Sequence, residues 1–592
     1  MNERFFPNPR GHAAATGLSR RRFVAGLGGG AAIGLLGNGR AASQPGAATA
    51  GAELRGDDIE LRIGAANVNF TGTERFATVV NGSLPAPLLR WREGDTVTIR
   101  VRNELDEATS IHWHGLVLPA NMDGVPGLSF HGIAPGETFT YRFPLRQNGT
   151  YWYHAHSGFQ EQTGLYGPII IEPREPEPFG YDREHVVLLS DWTDRDPQAL
   201  YLLLKRHSDY FNYNKPTLGD FVRDAQRDGL AATRAQRGEW ARMRMQPSDL
   251  ADVNGSTYTY LTNGRAPNDN WTGLFRRGER VRLRFINGSA MSTFDVRIPG
   301  LEMTVVAADG QLVHPVTVDE FRIAAAETFD VLVTPSDADA YTIFAQSLDR
   351  TGYARATLAV RDGLAAAVPA LDHVVHLSMA DMGHGGAAPA EHSATGSAPQ
   401  STEHAGHTMP MPSTATAAAT PNHPPSEWRN PGIDMQAAAP APRLTDPGVG
   451  LRDNGRRVLT YADLRSLFAD PDGREPGRTI ELHLTGHMER FMWSFDGVPF
   501  GDAEPLRLRY GERVRVRLVN DTMMAHPIHL HGMWSDLEDE AGAFLVRKHT
   551  VNMPPGTERS YRVTADALGR WAYHCHLLYH MAGMFREVRV DE

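Results

Sequence analysis

The chain has 592 residues, 41% hydrophobic and 22% charged, with 58 Gly and 39 Pro, which excludes a wholly disordered or fibrous protein and favours several domains of short strands and turns. A formal net charge of −11 and a pI near 6.1 carry no footprint of a nucleic-acid partner. Cys575 is the single cysteine, against 25 His and 19 Met, so no intramolecular disulfide can hold the fold.

Residues 19–24 read Ser-Arg-Arg-Arg-Phe-Val, followed by an apolar Gly/Ala-rich run from Val24 to Leu36 and by Ala48-Thr49-Ala50, a fitting cleavage site. Paired arginines before a short, weakly apolar stretch predict a twin-arginine signal over residues 1–50. The run is too short and Gly-rich for a membrane span; the alternative is a basic tail. Export through the twin-arginine machinery predicts a periplasmic protein, whose mature net charge is −16 once six Arg and one Glu are removed.

From about residue 54, short runs alternate apolar and charged residues between turn signals, the period of half-buried strands. Asp95–Arg102, Arg280–Ile286 and Glu512–Val519 resemble one another: each follows a Gly with an acidic neighbour and ends near an Asn (Asn103, Asn287, Asn520). Three copies predict three related β-sandwich domains, over residues 51–173, 174–366 and 441–592. Residues 196–246 read as a helical insertion in the second. Residues 367–440 read as a flexible linker, Ala/Pro/Ser/Thr-rich from 382 onward with scattered His and Met.

Four histidine clusters carry the chemistry: His112-Trp-His114, His154-Ala-His156, His526-Pro-Ile-His529-Leu-His531 and His574-Cys575-His576-Leu-Leu-Tyr-His580. Each holds an H-x-H pair, and residues i and i+2 of a strand share a face, so the pairs form four two-pronged clamps of imidazole, a preferred ligand for Cu, Zn, Fe and Ni. On an extended 574–576, Cys575 points away from its flanking histidines toward a different metal. Thiolate, two histidines and a weak axial Met make the blue-copper set. His526 and His580 are the natural histidines, and Met584 is the axial candidate. A zinc hydrolase would need only three or four ligands.

These clusters, with Tyr258–Leu261, Arg284–Met291, Met488–Ser494 and His574–Met581, resemble the multicopper oxidases, and within them the bacterial copper-resistance (CopA-type) branch, across nearly all of residues 54–592. The resemblance implies an all-β fold of three cupredoxin domains and four copper ions. It implies a type 1 copper on His526, Cys575 and His580 with Met584, and a type 2 copper on His112 and His529. The type 3 pair falls to His114, His154, His156, His531, His574 and His576. Axial methionines in the family stand ten residues after the cysteine; here that position is Phe585, and Met584 stands nine after. The acidic residue that many relatives carry after the last type 1 histidine is Met581. Asp123 matches the family's other acidic position, a candidate for supplying protons to oxygen; its alternative is a turn former in Asn121–Gly124.

The family implies reduction of O2 to water with one-electron oxidation of a donor at type 1 copper, so Cys575 and His526 join Asp123 in the catalytic set. Met523 and Met524, with Asp521, precede His526, and a related copper-efflux oxidase uses a Met and an Asp of this region for substrate Cu(I); soft thioethers select Cu(I). Core packing is the alternative for both methionines, as it is for Met243, Met245, Met488 and Met492. The linker adds Met379, Met382, His384, His392, His404, His407, Met409, Met411 and His423, a composition suited to transient copper capture. The expected function is a periplasmic Cu(I) oxidase in copper resistance, exchanging copper with other periplasmic copper-handling proteins. The alternatives are a laccase-like oxidase of small phenols and a non-enzymatic copper-sequestering protein.

Overall fold

The computed structural model describes residues 51–384 and 422–592. The signal read at residues 1–50, and His392, His404, His407, Met409 and Met411, lie outside the described residues. No helix among the described residues is long and apolar enough to cross a membrane.

The described chain folds into three successive β-sandwiches, each made of two packed sheets. The first has sheets of five and four strands between Glu53 and Glu172; the second and third each pair a six-stranded with a five-stranded sheet. The repeated strand holds the same place in all three. Thr96–Asn103 runs parallel to Asp58–Val68 and antiparallel to Thr138–Pro144. Val281–Asn287 lies likewise between Arg183–Trp192 and Thr328–Val333, and Arg513–Asn520 between Arg478–His487 and Glu558–Thr564.

The asparagine that closes each copy is fully buried, and its amide ties down the following loop. Asn103 Nδ2 donates to the carbonyls of Glu107 and Ile133, both at 2.8 Å. Asn287 Nδ2 donates to Ser292 and Ile323 at 2.9 and 3.0 Å. Asn520 Nδ2 donates to Met524 and Met553, both at 2.8 Å. A buried amide must be satisfied, so each Asn fixes the chain that leaves its strand. In the first and third sandwiches that chain leads directly into a histidine cluster.

Alternation predicted half-exposed strands, and the second copy departs from this. Val281–Asn287 is buried throughout, and Arg282 and Arg284 point into the contact with the first sandwich. Arg284 donates to Thr150 Oγ1 (2.8 Å) and Glu184 Oε2 (2.8 Å), while Arg282 pairs with Asp330 (2.6 Å) and Glu177. The charges stay because each is paired and hydrogen-bonded, as buried ions must be.

Three helices, Pro197–Leu204, Leu218–Asp228 and Leu230–Met243, interrupt the second sandwich. Asp196 caps the first through the backbone N–H groups of Gln198 and Ala199, and Leu200 and Leu204 are buried beneath it. The described parts of the expected flexible linker are anchored at several points instead. Leu377, Met382, Met435 and Ala437 are buried, and Asp372 binds Arg297 and Arg456. Isolated apolar anchors and ion pairs hold these strands of irregular chain without any periodicity. Met382 is therefore a core residue rather than a mobile copper ligand.

Candidate metal centre

The histidine clusters come from the facing ends of the first and third sandwiches. His112–His114 pairs antiparallel with Gly149–His154, setting His112 opposite His154. In the third, His526–Leu530 pairs with Gly569–Cys575, setting His529 opposite His574 and Ile528 opposite Cys575. Gly115 and Gly532, the residues after two H-x-H pairs, adopt φ of +80° and +73°. A Cβ on Gly115 would meet the His549 ring at 2.5 Å, so only glycine lets the chain turn away from the cluster.

The eight clamp imidazoles gather into one buried pocket, as three sets of three, two of which share His114: His112, His114 and His529; His114, His154 and His576; His156, His531 and His574. Outer partners fix the ring tautomers. Nδ1 of His531 donates to Asp123 Oδ2 (2.8 Å), and Nδ1 of His112 to the Asp123 carbonyl (2.9 Å). His529 Nδ1 donates to the His549 carbonyl (2.6 Å), His574 Nδ1 to the Cys575 carbonyl (2.9 Å), and His154 Nδ1 to Glu161 Oε2 (2.7 Å). The inward nitrogens are then bare lone pairs. Nε2 of His531 and of His574 face each other at 3.0 Å, and Nε2 of His154 and of His576 at 3.4 Å. Nε2 of His112 and of His529, and both nitrogens of His156, are buried with no hydrogen-bond partner.

Burial, and then neighbouring imidazoles, hold His114, His154, His156, His529, His531 and His576 well below the usual histidine range. Burial pulls His574 down to about 3. Neutral imidazoles converging lone pair to lone pair repel unless a cation lies between them, so the residues fit resident metal ions.

On the other face of the same strand, Cys575 Sγ lies 3.4 Å from His526 Nδ1 and 3.9 Å from His580 Nδ1, and those two nitrogens are 3.2 Å apart. All three side chains are fully buried. Burial pushes the Cys575 thiol far above its ordinary range, so a thiolate here requires a bound cation. His526 Nε2 donates to Thr522 Oγ1 (2.7 Å) and His580 Nε2 to Asp252 Oδ2 (2.7 Å), turning both Nδ1 atoms toward the sulfur. Trp493 stacks on His580 with ring centroids 4.0 Å apart. Phe585 pairs opposite His574 and stacks on its ring, so it belongs to the histidine face. Met584, fully buried, precedes it, and its carbonyl accepts from the Cys575 N–H (3.1 Å), which puts it beside the cysteine on the opposite face.

Asp123 is buried and bridges His112 and His531, from two different sets. Asp521 does not join the methionines. Its carboxylate turns to His483 (2.7 Å) and to the backbone N–H of Ala437 (2.7 Å). Met523 lines a cleft with Asp381 and Arg443, whereas Met524 lines a second cleft with Met291, Asp252 and Asp349; Asp521 lines neither. Met245 and Met488 are core residues. Sequence reasoning missed Asp252, Glu161 and His549. Burial, with Asp191 nearby, keeps the Glu161 carboxyl well above its usual range.

Two faces of one strand, one turning a lone cysteine toward two histidines and the other joining a pocket of eight histidines, offer the donor groups of a redox protein built on several metal ions. The chain belongs to the multicopper oxidase family: models described as "Multicopper oxidase" match residues 62–176, 183–363 and 473–592. It is 63% identical to Copper resistance protein A of Escherichia coli, over 97% of this chain and 99% of that protein. Copper resistance protein A of Pseudomonas syringae pv. tomato is 62% identical over 97% and 99%. Multicopper oxidase MmcO of Mycobacterium tuberculosis is 30% identical over 88% and 84%. The fold is that of Fet3p, described as a multicopper oxidase that functions in iron import, with a TM-score of 0.62 at 19% identity over 91% and 90% of the two chains. The protein is thus an oxidoreductase that carries copper.

Proposed function

We propose that this chain is a periplasmic oxidase of Cu(I), acting in copper resistance, with four resident coppers. His526, Cys575 and His580, with Met584 beside them, would hold type 1 copper, and His112 and His529 type 2. His114, His154 and His576 would hold one type 3 ion, and His156, His531 and His574 the other. Copper in these places supplies one-electron oxidation of the donor and four-electron reduction of O2 to water.

The protein's own groups organise the rest. Asp123 and Glu161 orient the histidines and stand as buried carboxyl groups able to hold protons for oxygen reduction. The Cys575–His574 peptide links the two faces covalently.

The observation that carries Cu(I) as donor is the cover over His580. The histidine is fully buried, its outer nitrogen bound to Asp252, and the adjoining cleft offers the thioethers of Met291 and Met524. Helix Pro197–Leu204 braces this cover, with Lys205 Nζ donating to the Phe491 carbonyl at 2.7 Å. Thioethers beside a carboxylate suit a small soft cation, whereas a phenol needs an open imidazole edge. His392, His404, His407, Met409 and Met411 add donors suited to transient copper capture.

The test is O2 consumption on Cu(I) and on a phenol, for the wild type and for Met524→Leu. Cu(I) turnover should dominate and fall at least tenfold in the variant. Fast phenol oxidation without added copper, with negligible Cu(I) turnover, would overturn the proposal in favour of the laccase-like reading.

A further inference from the structure

We propose that His423, Glu427, His483 and Asp521 form an additional mononuclear site for a divalent transition-metal ion, separate from the histidine pocket and from the Cys575 group. Each offers a donor atom, and the four lie within 4.8 Å of one another. His483 Nδ1 is 2.7 Å from Asp521 Oδ2 and 3.8 Å from Glu427 Oε1. His423 Nδ1 is 2.9 Å from Glu427 Oε2 and 3.4 Å from Asp521 Oδ2. Both imidazoles thus present Nδ1 to the same two carboxylates.

The scaffold brings the donors together from three places. His483 sits on Arg478–His487, and Asp521 follows the neighbouring parallel strand Arg513–Asn520, held by its N–H to the Leu484 carbonyl at 2.9 Å. His423 and Glu427, four residues apart, come from the chain that re-enters the described structure at Asn422.

Two features set this cluster apart from an ordinary ion-pair network. Glu427 Oε1 is buried and has no hydrogen-bond partner, although a carboxylate oxygen out of water is costly unless something positive binds it. His483 is also backed from behind, as metal-bound histidines are: its Nε2 meets Glu481 Oε1 at 3.3 Å, and Glu481 is held by Arg517 (2.7 Å) and by the Asn422 N–H (3.1 Å).

Two imidazoles and two carboxylates, with no sulfur, select a borderline divalent ion, Cu(II) or Zn(II), over Cu(I). The site is therefore chemically distinct from the thioether cleft proposed for the Cu(I) donor. It would clamp the chain that follows His404, His407, Met409 and Met411 onto the third sandwich. Asp521 directly precedes Thr522, the residue that orients His526.

The experiment uses copper-replete full-length protein, dialysed and then given Cu(II) or Zn(II) in turn, with metal content read by mass spectrometry. The wild type should take up one further equivalent, and Glu427→Gln and His423→Ala should lose it while keeping the blue absorbance. With Cu(II), the wild type should gain an electron paramagnetic resonance signal with nitrogen couplings that the variants lack. Zn(II) should raise the unfolding temperature of the wild type and not of Glu427→Gln. Equal metal content and equal unfolding temperatures in wild type and variants would overturn the proposal and leave a hydrogen-bonded cluster. None of these readouts depends on Cu(I) turnover, so failure here is separable from failure of the oxidase reading.

Discussion

Asp252→Ala tests whether the second sandwich controls electron entry. The Asp252 carboxylate accepts from His580 Nε2 at 2.7 Å, and both side chains are essentially buried. A hydrogen bond to a charged partner contributes about 2 kcal/mol, which corresponds to roughly 30-fold at 1.4 kcal/mol per decade. Loss of an outer partner of a metal-binding histidine has an effect of about 10- to 100-fold, the same range. We expect kcat/KM for Cu(I) to fall about 30-fold in Asp252→Ala and less in Asp252→Asn, which keeps an acceptor. Asp252 is a positioning residue for His580, so the blue band should also shift as the ring loses its anchor. Because Asp252 lines the Met524 cleft, KM for Cu(I) should rise as kcat falls. The assay is O2 consumption across a range of Cu(I), alongside the visible spectrum. Unchanged kcat/KM with an unshifted band would refute the reasoning, since nothing on the donor side would then pass through this contact.

Asp123→Ala strips the outer partner from His531 while His112 keeps the backbone carbonyl of residue 123; copper content and activity should fall about 10- to 100-fold while the blue absorbance persists, read by metal analysis and O2 consumption. Copper-free protein should lose stability in acid. Burial lowers His549 to about 4 and His574 to about 3, so the unfolded chain takes up protons below about 6.5 while the fold does not. Their contribution is complete above pH 6.5 and shrinks as pH falls toward 4, by about 1.4 kcal/mol per histidine per unit. These two alone remove about 3 kcal/mol between pH 6.5 and 5, and the other depressed histidines act in the same sense. His483 runs the opposite way: its carboxylate partners raise it to about 9 against burial, so its contribution is present below 6.5 and lost by 9. Urea midpoints of the copper-free protein should therefore fall from pH 6.5 to 5; a flat profile would count against neutral, converging imidazoles.

The clustered histidines of the candidate centre were legible because their signal is local. Strand parity puts i and i+2 on one face and i+1 on the other, and His574, Cys575 and His576 obey it within three residues. The same parity puts Phe585 on the histidine face, once its pairing with His574 is known, and Met584 on the face of Cys575. The repeated strand and its closing Asn were also legible, although not the reason for the Asn, which is to tie down the chain entering His112 and His526. What the sequence hid is which imidazole a distant carboxylate orients. Asp252, without any local signal, meets His580 across 328 residues of chain, and Asp123, legible only as a site carboxylate, meets His531 across 408. Asp521 was misjudged for the related reason that closeness to His526 in sequence fixes the backbone but not the side-chain direction. Its carboxylate answers to Ala437 and His483, from segments whose own sequence carries no metal-binding spacing. The inner donors are thus set by local geometry and the outer ones by sandwich packing. It follows that substitutions at the contacts between sandwiches, such as Thr150 with Arg284, should retune the centre without touching a metal-binding residue.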